Sequence, residues 1–332
     1  MTEPIRAAAP VRLDLAGGWT DVPPYSVREG GVVVAAALQL YAHAVVRPGG
    51  SRYRLVAQDL GEEIEVPDAS MIPSRGSLPL LAAGLRMLPV GPCTLTTRSD
   101  APPGSGLGSS GALDVALVAA LSHARGELPD RRRIADLACH LEAVEAAIPG
   151  GRQDQFAAAF GGFLRLEFRD PAVTVEHLAL NTDVAAELER RMLLCYTGAS
   201  RFSGTTIDRV MQGYGRGDPT IAGALHGLRA AAERMPDALR AGDLSRIGEL
   251  LSENWRHQQA LDPAMCTPVM SRLEQAMSEA GALGGKAAGS GVGGAMFFLL
   301  GKEDTRPAVE AARALGMTLL PLRWAQEGVH PC

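Results

Sequence analysis

The segment Pro102-Pro103-Gly104-Ser105-Gly106-Leu107-Gly108-Ser109-Ser110-Gly111-Ala112 has the composition of an anion cradle. Glycine lets the main chain come close to an anion, so that several N–H groups converge on it. The apolar run from Leu113 to Leu121 follows at once and predicts a helix from about Ser110 to Ala124. A helix start adds unpaired N–H donors and the positive end of its dipole. The expected ligand is a nucleotide phosphate, which makes an enzyme the leading reading. Ser109 and Ser110 either cap the helix or add a hydroxyl for Mg²⁺ beside the phosphates. No Lys-Ser or Lys-Thr follows the last glycine, so the loop is not a Walker P-loop. Gly104-Ser105-Gly106-Leu107-Gly108 does not match the dinucleotide fingerprint G-x-G-x-x-G, and no strand-plus-ribose-acid context supports that reading.

Three more segments carry candidate chemistry. Glu142-Ala143-Val144-Glu145 is followed by Ile148-Pro149-Gly150-Gly151-Arg152-Gln153-Asp154-Gln155. The Gly-Gly turn can fold Asp154 back towards Glu142. Of two such carboxylates, one can bind a hard cation and the other can take a proton. Arg152 is placed to keep Asp154 ionised or to bind a phosphate oxygen. Alternatively, Glu142 and Glu145 line a solvated helix face and Asp154 caps the next helix. In Arg12-Leu13-Asp14-Leu15-Ala16-Gly17-Gly18-Trp19-Thr20-Asp21, a strand runs into a turn. Asp21 suits two sugar hydroxyls, and Trp19 suits stacking on a sugar face; an Asx turn before Pro23-Pro24 is the plainer reading. Gly284-Gly285-Lys286-Ala287-Ala288-Gly289-Ser290-Gly291-Val292-Gly293-Gly294 is a second glycine segment, suited to help enclose nucleotide and substrate.

The elements that position these segments are strands first and helices later. Strands are expected at Val32–Leu38, Tyr41–Val46, 94–97 and 163–168, with a hairpin across Asp59-Leu60-Gly61. Helices are expected at 77–87, 130–147, 153–159, 221–234, 236–241, 244–261, 268–279 and 305–315. Further strands are expected at 191–196, 295–300 and near 319–324. The stretch 170–183 reads as a crossing between two units, set at 1–180 and 181–332. Strands and helices without a regular βαβ repeat predict an α+β class.

Composition bounds the function. The chain has 332 residues, 46% hydrophobic and 21% charged, with net charge −5. That balance argues against a general nucleic-acid surface. No apolar run reaches the roughly 20 residues that span a bilayer, and the first residues lack the layout of a secretory signal. A cytoplasmic location with no membrane partner is the expectation, and a homodimer is compatible with it. Five scattered cysteines without a C-x-x-C pair are expected to be reduced, with packing roles. The histidine spacing offers no transition-metal site.

Together and in this order, the four segments resemble the GHMP kinases, the superfamily of galactokinase, homoserine kinase, mevalonate kinase and phosphomevalonate kinase. The resemblance covers nearly the whole chain. Within the superfamily, Arg12–Asp21 and Gly150–Gln155 are most similar to the heptose 7-phosphate kinases. Gly17–Pro24 also resembles the kinase half of fucokinase. Trp19 stands where heptose kinases often carry glycine, and Gly18 where galactokinases carry an acid.

The resemblance implies an N-terminal α+β domain and a C-terminal ferredoxin-like domain, with the active site between them. It implies ATP and Mg²⁺, with Pro103, Gly104, Ser105, Gly106, Leu107, Gly108, Ser109 and Ser110 around the phosphates. Asp154 is then the catalytic base, Ser110 and Glu142 bind Mg²⁺, and Arg12 stabilises the transferring phosphoryl group. Gly18, Trp19, Thr20, Asp21, Arg152, Gly289, Ser290 and Gly291 are the expected substrate-binding set. The expected reaction moves the ATP γ-phosphoryl to the anomeric hydroxyl of a heptose 7-phosphate, giving the 1,7-bisphosphate. Arg28, Arg75, Arg152, Arg201 and Lys286 are candidates to receive a 7-phosphate. An unphosphorylated sugar such as fucose or galactose is the alternative acceptor. A mevalonate-type acceptor is disfavoured by Thr20-Asp21, and an inactive sugar or nucleotide sensor by the presence of Arg12, Glu142 and Asp154.

Overall fold

The two apolar runs at Val32–Leu38 and Tyr41–Val46 form a single strand, β2 (Gly31–Pro48). The structure is a computed structural model, and it describes residues 3–72, 78–198 and 204–332. The first half of β2 is buried on both faces, whereas its second half alternates between buried and more exposed positions. This is why the first half reads as an unbroken apolar run. β1 (Ile5–Ala16) pairs antiparallel along β2, while β6 (Phe163–Arg169) pairs with its first half and β5 (Cys93–Ser99) with its second. A register shift falls where Pro10 faces Tyr41 but Val11 faces Leu38. Proline has no N–H for the ladder and is tolerated at such a bulge.

The expected hairpin is β3 (Tyr53–Ala57) and β4 (Glu62–Val66), with β3 parallel to β5. The stretch expected as a crossing at 170–183 instead contains β7 (Ala172–His177), which pairs with β6, and the start of the helix Thr182–Arg191. The chain's last strand, β12 (His330–Pro331), returns to pair with β1. The first sheet thus runs β12-β1-β2-β5-β3-β4, with β6 and β7 branching from β2. The second sheet contains β8 (Met192–Tyr196), β9 (Ala282–Ala287), β10 (Ala295–Leu300) and β11 (Thr318–Leu320), in the order β11-β8-β10-β9 and all antiparallel. Helices separate β8 from β9 and β10 from β11. This is the β-α-β-β-α-β arrangement of a ferredoxin-like unit, and the α+β class holds.

The helix after the first glycine segment is Ser109–Ala124. It is buried on nearly all sides, as expected of a helix apolar all round. The helix Arg131–His140 widens into a π-helical turn, Leu141–Glu145, which carries Glu142. The chain then turns and resumes as the helix Gln153–Phe160. The helices expected on either side of Met235 are one, Pro219–Ala241, with Pro236 inside it. Buried Met235, Pro236 and Leu239 anchor that stretch, so packing outweighs the missing N–H. Three α-helices were not foreseen, Tyr25–Arg28, Thr182–Arg191 and Gly204–Gly215. The first four residues of the second glycine segment belong to strand β9, and only residues beyond Ala287 form the loop.

Candidate active site

The end of β1, the first glycine loop and the start of the helix Gln153–Phe160 meet at Arg12. Arg12 is 5% exposed. Its Nε donates to Asp154 Oδ1 at 2.8 Å, and Nη2 lies 2.7 Å from the same oxygen. Nη1 donates to Gly106 O at 2.7 Å and to Ala288 O at 3.0 Å. One guanidinium therefore joins the carboxylate, the first glycine loop and the second. Gly108, at the head of the helix, has φ +76°, and a Cβ there would lie 3.1 Å from Asp154 Cγ and 3.2 Å from Arg12 Cγ. Only glycine takes that backbone freely and lets the helix start sit on the pair.

The helix start faces a cavity of about 340 Å³, lined by Gly104, Ser105, Gly106, Gly108, Ser109 and Ser110 on one side. Ser105 Oγ and Ser109 Oγ are buried with no hydrogen-bond partner among the described residues. Such donors fit phosphate oxygens. Ser110 Oγ donates to Glu142 Oε1 at 2.7 Å, and Gln155 Nε2 to Glu142 Oε2 at 2.6 Å. Burial pushes the Glu142 carboxyl above its usual range, while Ser110 and Gln155 oppose that shift. One carboxylate and one hydroxyl beside a phosphate cradle suit Mg²⁺, which keeps most of its waters and takes few protein ligands. Among the described residues there is no cluster of three or more His, Cys, Asp or Glu suited to a metal.

Across the cavity lie Gly18, Trp19 and Asp21. Asp21 is 1% exposed. Its Oδ2 accepts from Gln153 N at 3.0 Å and its Oδ1 from Gln153 Nε2 at 3.3 Å. A Cβ at position 151 would fall 1.9 Å from Asp21 Oδ2, so Gly151 is what lets the two segments touch. Burial, chiefly, pushes the Asp21 carboxyl from the usual 3.8 up to about 6; the charges of Asp154 and Asp14 add to it and the Gln153 N–H works against it.

That shift makes a prediction with two signs. The resemblance implies that Asp21 accepts from hydroxyls of an acceptor sugar; its ionised form is the better acceptor, so on that expectation the sugar KM should fall as pH rises through about 6, and Asp21→Asn should flatten this profile. The folded chain holds the Asp21 proton longer than the unfolded chain does. Its contribution to stability is therefore present below pH 3.8 and lost as pH rises through about 6. Melting temperatures of wild type and Asp21→Asn across that window check it; parallel curves would refute it.

Not every expected residue faces the cavity. Thr20 is fully buried, donates to Gly17 O at 2.7 Å and accepts from Val32 N at 3.1 Å. It fixes the turn and does not line the cavity. Leu107 is in the core, and Pro103 O accepts from Tyr196 Oη at 3.2 Å. Gly289 and Ser290 line the cavity, whereas Gly291 packs beside Met265.

Three of the expected phosphate receivers have partners away from the cavity or buried beneath it. Arg152 turns away, donating to Pro171 O at 2.9 Å, lying 3.1 Å from Asp170 and covering the Phe168 ring. The task expected of it, holding Asp154, is done by Arg12. Lys286 is fully buried against Asp14, and Arg28 lies over the Tyr214 ring. Arg75 and Arg201 lie outside the described residues. Two polar cavity residues were missed, Asp14 and Gln153, along with apolar and glycine lining such as Val22, Ile148 and Ile207. A lone carboxylate between Leu13 and Leu15 in an apolar strand was the available signal for Asp14.

Comparison with known proteins agrees with this geometry. The family model for the GHMP kinases N terminal domain matches residues 78–162, and that for the GHMP kinases C terminal domain matches residues 235–316. The chain is 29% identical to a D-glycero-alpha-D-manno-heptose 7-phosphate kinase from Campylobacter jejuni, covering 98% of both. It is 27% identical to a bifunctional fucokinase/GDP-fucose pyrophosphorylase from Arabidopsis thaliana, of which it spans only 30%. A crystal structure of a D-glycero-D-manno-heptose 1-phosphate kinase from Bacteroides thetaiotaomicron superposes with a TM-score of 0.80 at 28% identity, covering 99% of this chain and 98% of that one.

Proposed function

Since the chain belongs to the GHMP kinases and is an ATP-dependent sugar kinase, we propose that it phosphorylates the anomeric hydroxyl of a heptose 7-phosphate. The observation that carries this reading is the Arg12–Asp154 pair, set between the first glycine loop and Asp21. Phosphoryl transfer asks mostly for positioning and charge neutralisation. N–H groups of Gly104–Ser110, with Ser105 Oγ and Ser109 Oγ, hold the ATP phosphates. Ser110 and Glu142 are the residues that would hold Mg²⁺, which would supply charge neutralisation for the transferring phosphoryl group. Asp21 accepts from sugar hydroxyls and orients the acceptor. Asp154 Oδ2 takes the anomeric proton as the sugar oxygen bonds to the γ-phosphorus. The bond from that phosphorus to the β-phosphate bridge oxygen breaks, and ADP leaves. Arg12 holds Asp154 in place and offsets charge that develops during transfer.

One observation favours a second reading, an unphosphorylated sugar. Arg152 and Lys286, expected to receive a 7-phosphate, are already engaged by Asp170 and Asp14. The fucokinase relative fits that reading too. The discriminating assay compares kcat/KM for heptose 7-phosphate, fucose and galactose. The proposal expects heptose 7-phosphate to win by at least about 100-fold. Preference for an unphosphorylated sugar would replace it with the second reading.

A further inference from the structure

Two opposite charges are buried where strands of the two sheets meet. Lys286, on β9, is 0% exposed, and the Asp14 side chain, on β1, is 3% exposed. Lys286 Nζ lies 3.0 Å from Asp14 Oδ2 and donates to Asp14 O at 2.7 Å. Its ammonium lies 5.6 Å from the centroid of the Phe297 ring, on the neighbouring strand β10. Asp14 Oδ1 accepts from Gly18 N at 3.3 Å. The next amide back, Gly17 N, donates to Asn254 Oδ1 at 2.9 Å. Asn254 is buried on the helix Leu244–Leu261, which packs against β9. Two consecutive amides of the sugar-side turn are thus anchored by groups that the second part of the chain supplies or holds.

Stability is a poor explanation of this pair. Removing two charges from water costs as much as their attraction returns, and apolar pairs of similar volume are often as stable. What an apolar pair cannot supply is a fixed acceptor for Gly18 N. Burial lowers the proton affinity of Lys286, and Asp14 opposes that.

We propose that Lys286 is a positioning residue for the acceptor sugar: through Asp14 it sets the turn that presents Gly18, Trp19 and Asp21 to the cavity. The phosphate loop is anchored separately, through Arg12 to Gly106 O and Ala288 O and through Ala295 N to Ser105 O at 2.7 Å. Loss of Lys286 should thus be felt on the sugar and not on the nucleotide. This inference rests on the sugar-kinase reading above.

The test uses the full chain and its best acceptor from the assay above. Lys286→Met alone leaves Asp14 buried without its partner and is open to misfolding. The deciding variant is therefore Asp14→Leu with Lys286→Met, which removes both charges. Circular dichroism and melting report its fold. Equilibrium binding of a non-hydrolysable ATP analogue reports the nucleotide site. Sugar kcat/KM should fall roughly 100-fold, the scale of a small misplacement, with analogue affinity held within about threefold of wild type. The inference is overturned if the folded double variant keeps sugar kcat/KM within about threefold, or if both ligands weaken together. It is also overturned if the double variant cannot fold, because the pair is then a structural one. If wild type phosphorylates no sugar at all, the functional reading fails first and this inference falls with it; that outcome is visible before any variant is made.

Discussion

Asp154→Asn should lower turnover by about 10²–10⁴-fold, the usual worth of a positioned general base, while ATP still binds. The substitution isolates basicity from geometry. The introduced amide keeps an oxygen that can accept from Arg12 Nε, so the contact now at 2.8 Å has a successor. What it lacks is an oxygen able to take the anomeric proton. Single-turnover measurements at saturating ATP read this loss directly. Asp154→Ala removes the positioning as well. An anomeric hydroxyl is more acidic than an ordinary alcohol, so a large further fall from the amide to the alanine variant would mean that Asp154 acts more through placement. Turnover of Asp154→Asn within tenfold of wild type would remove it as the base.

Arg12→Met should be as damaging by another route, with a fall of about 10²–10³-fold in kcat/KM. It breaks contacts to Asp154, Gly106 O and Ala288 O together. Bonds to a charged group contribute about 1.5–3 kcal/mol each, so the loss of Asp154 placement alone covers a tenfold to hundredfold effect. Arg12→Lys should recover little. An ammonium on a flexible stem lacks the planar fork that reaches a carboxylate and two carbonyls at once. Unlike Asp154→Asn, both Arg12 variants should weaken binding of ATP analogue, since Gly106 O loses its anchor. Unchanged analogue affinity would show that Arg12 serves the carboxylate alone.

What the sequence made legible was local. The first glycine loop was readable because its glycines, serines and helix start are neighbours in the chain, and Gly104, Gly106 and Gly108 all adopt positive φ. The roles of Arg12, Glu142 and Asp154 came from the ordered resemblance, and the structure brings these distant residues to one cavity. What stayed hidden depends on direction or on long-range pairing. Arg152 is two residues before Asp154, yet side chains two apart on a helix start do not share a face. Lys286 reads as a candidate phosphate receiver because nothing near it in sequence signals Asp14. The return of β12 to β1 has no local mark at all. The helix Thr182–Arg191 did have a signal, Asn181, whose side chain accepts from Asp183 N as a cap.

The central claim is that this cavity moves a phosphoryl group from ATP to the anomeric oxygen of a sugar. The most direct test incubates the protein with ATP, Mg²⁺ and heptose 7-phosphate, or fucose and galactose in parallel, and follows phosphorus by NMR. The account requires a new phosphomonoester signal coupled to the anomeric proton, appearing as ADP forms, and absent over the same interval with Asp154→Asn. ATP consumed only to inorganic phosphate, or phosphate placed on any other hydroxyl, would contradict it.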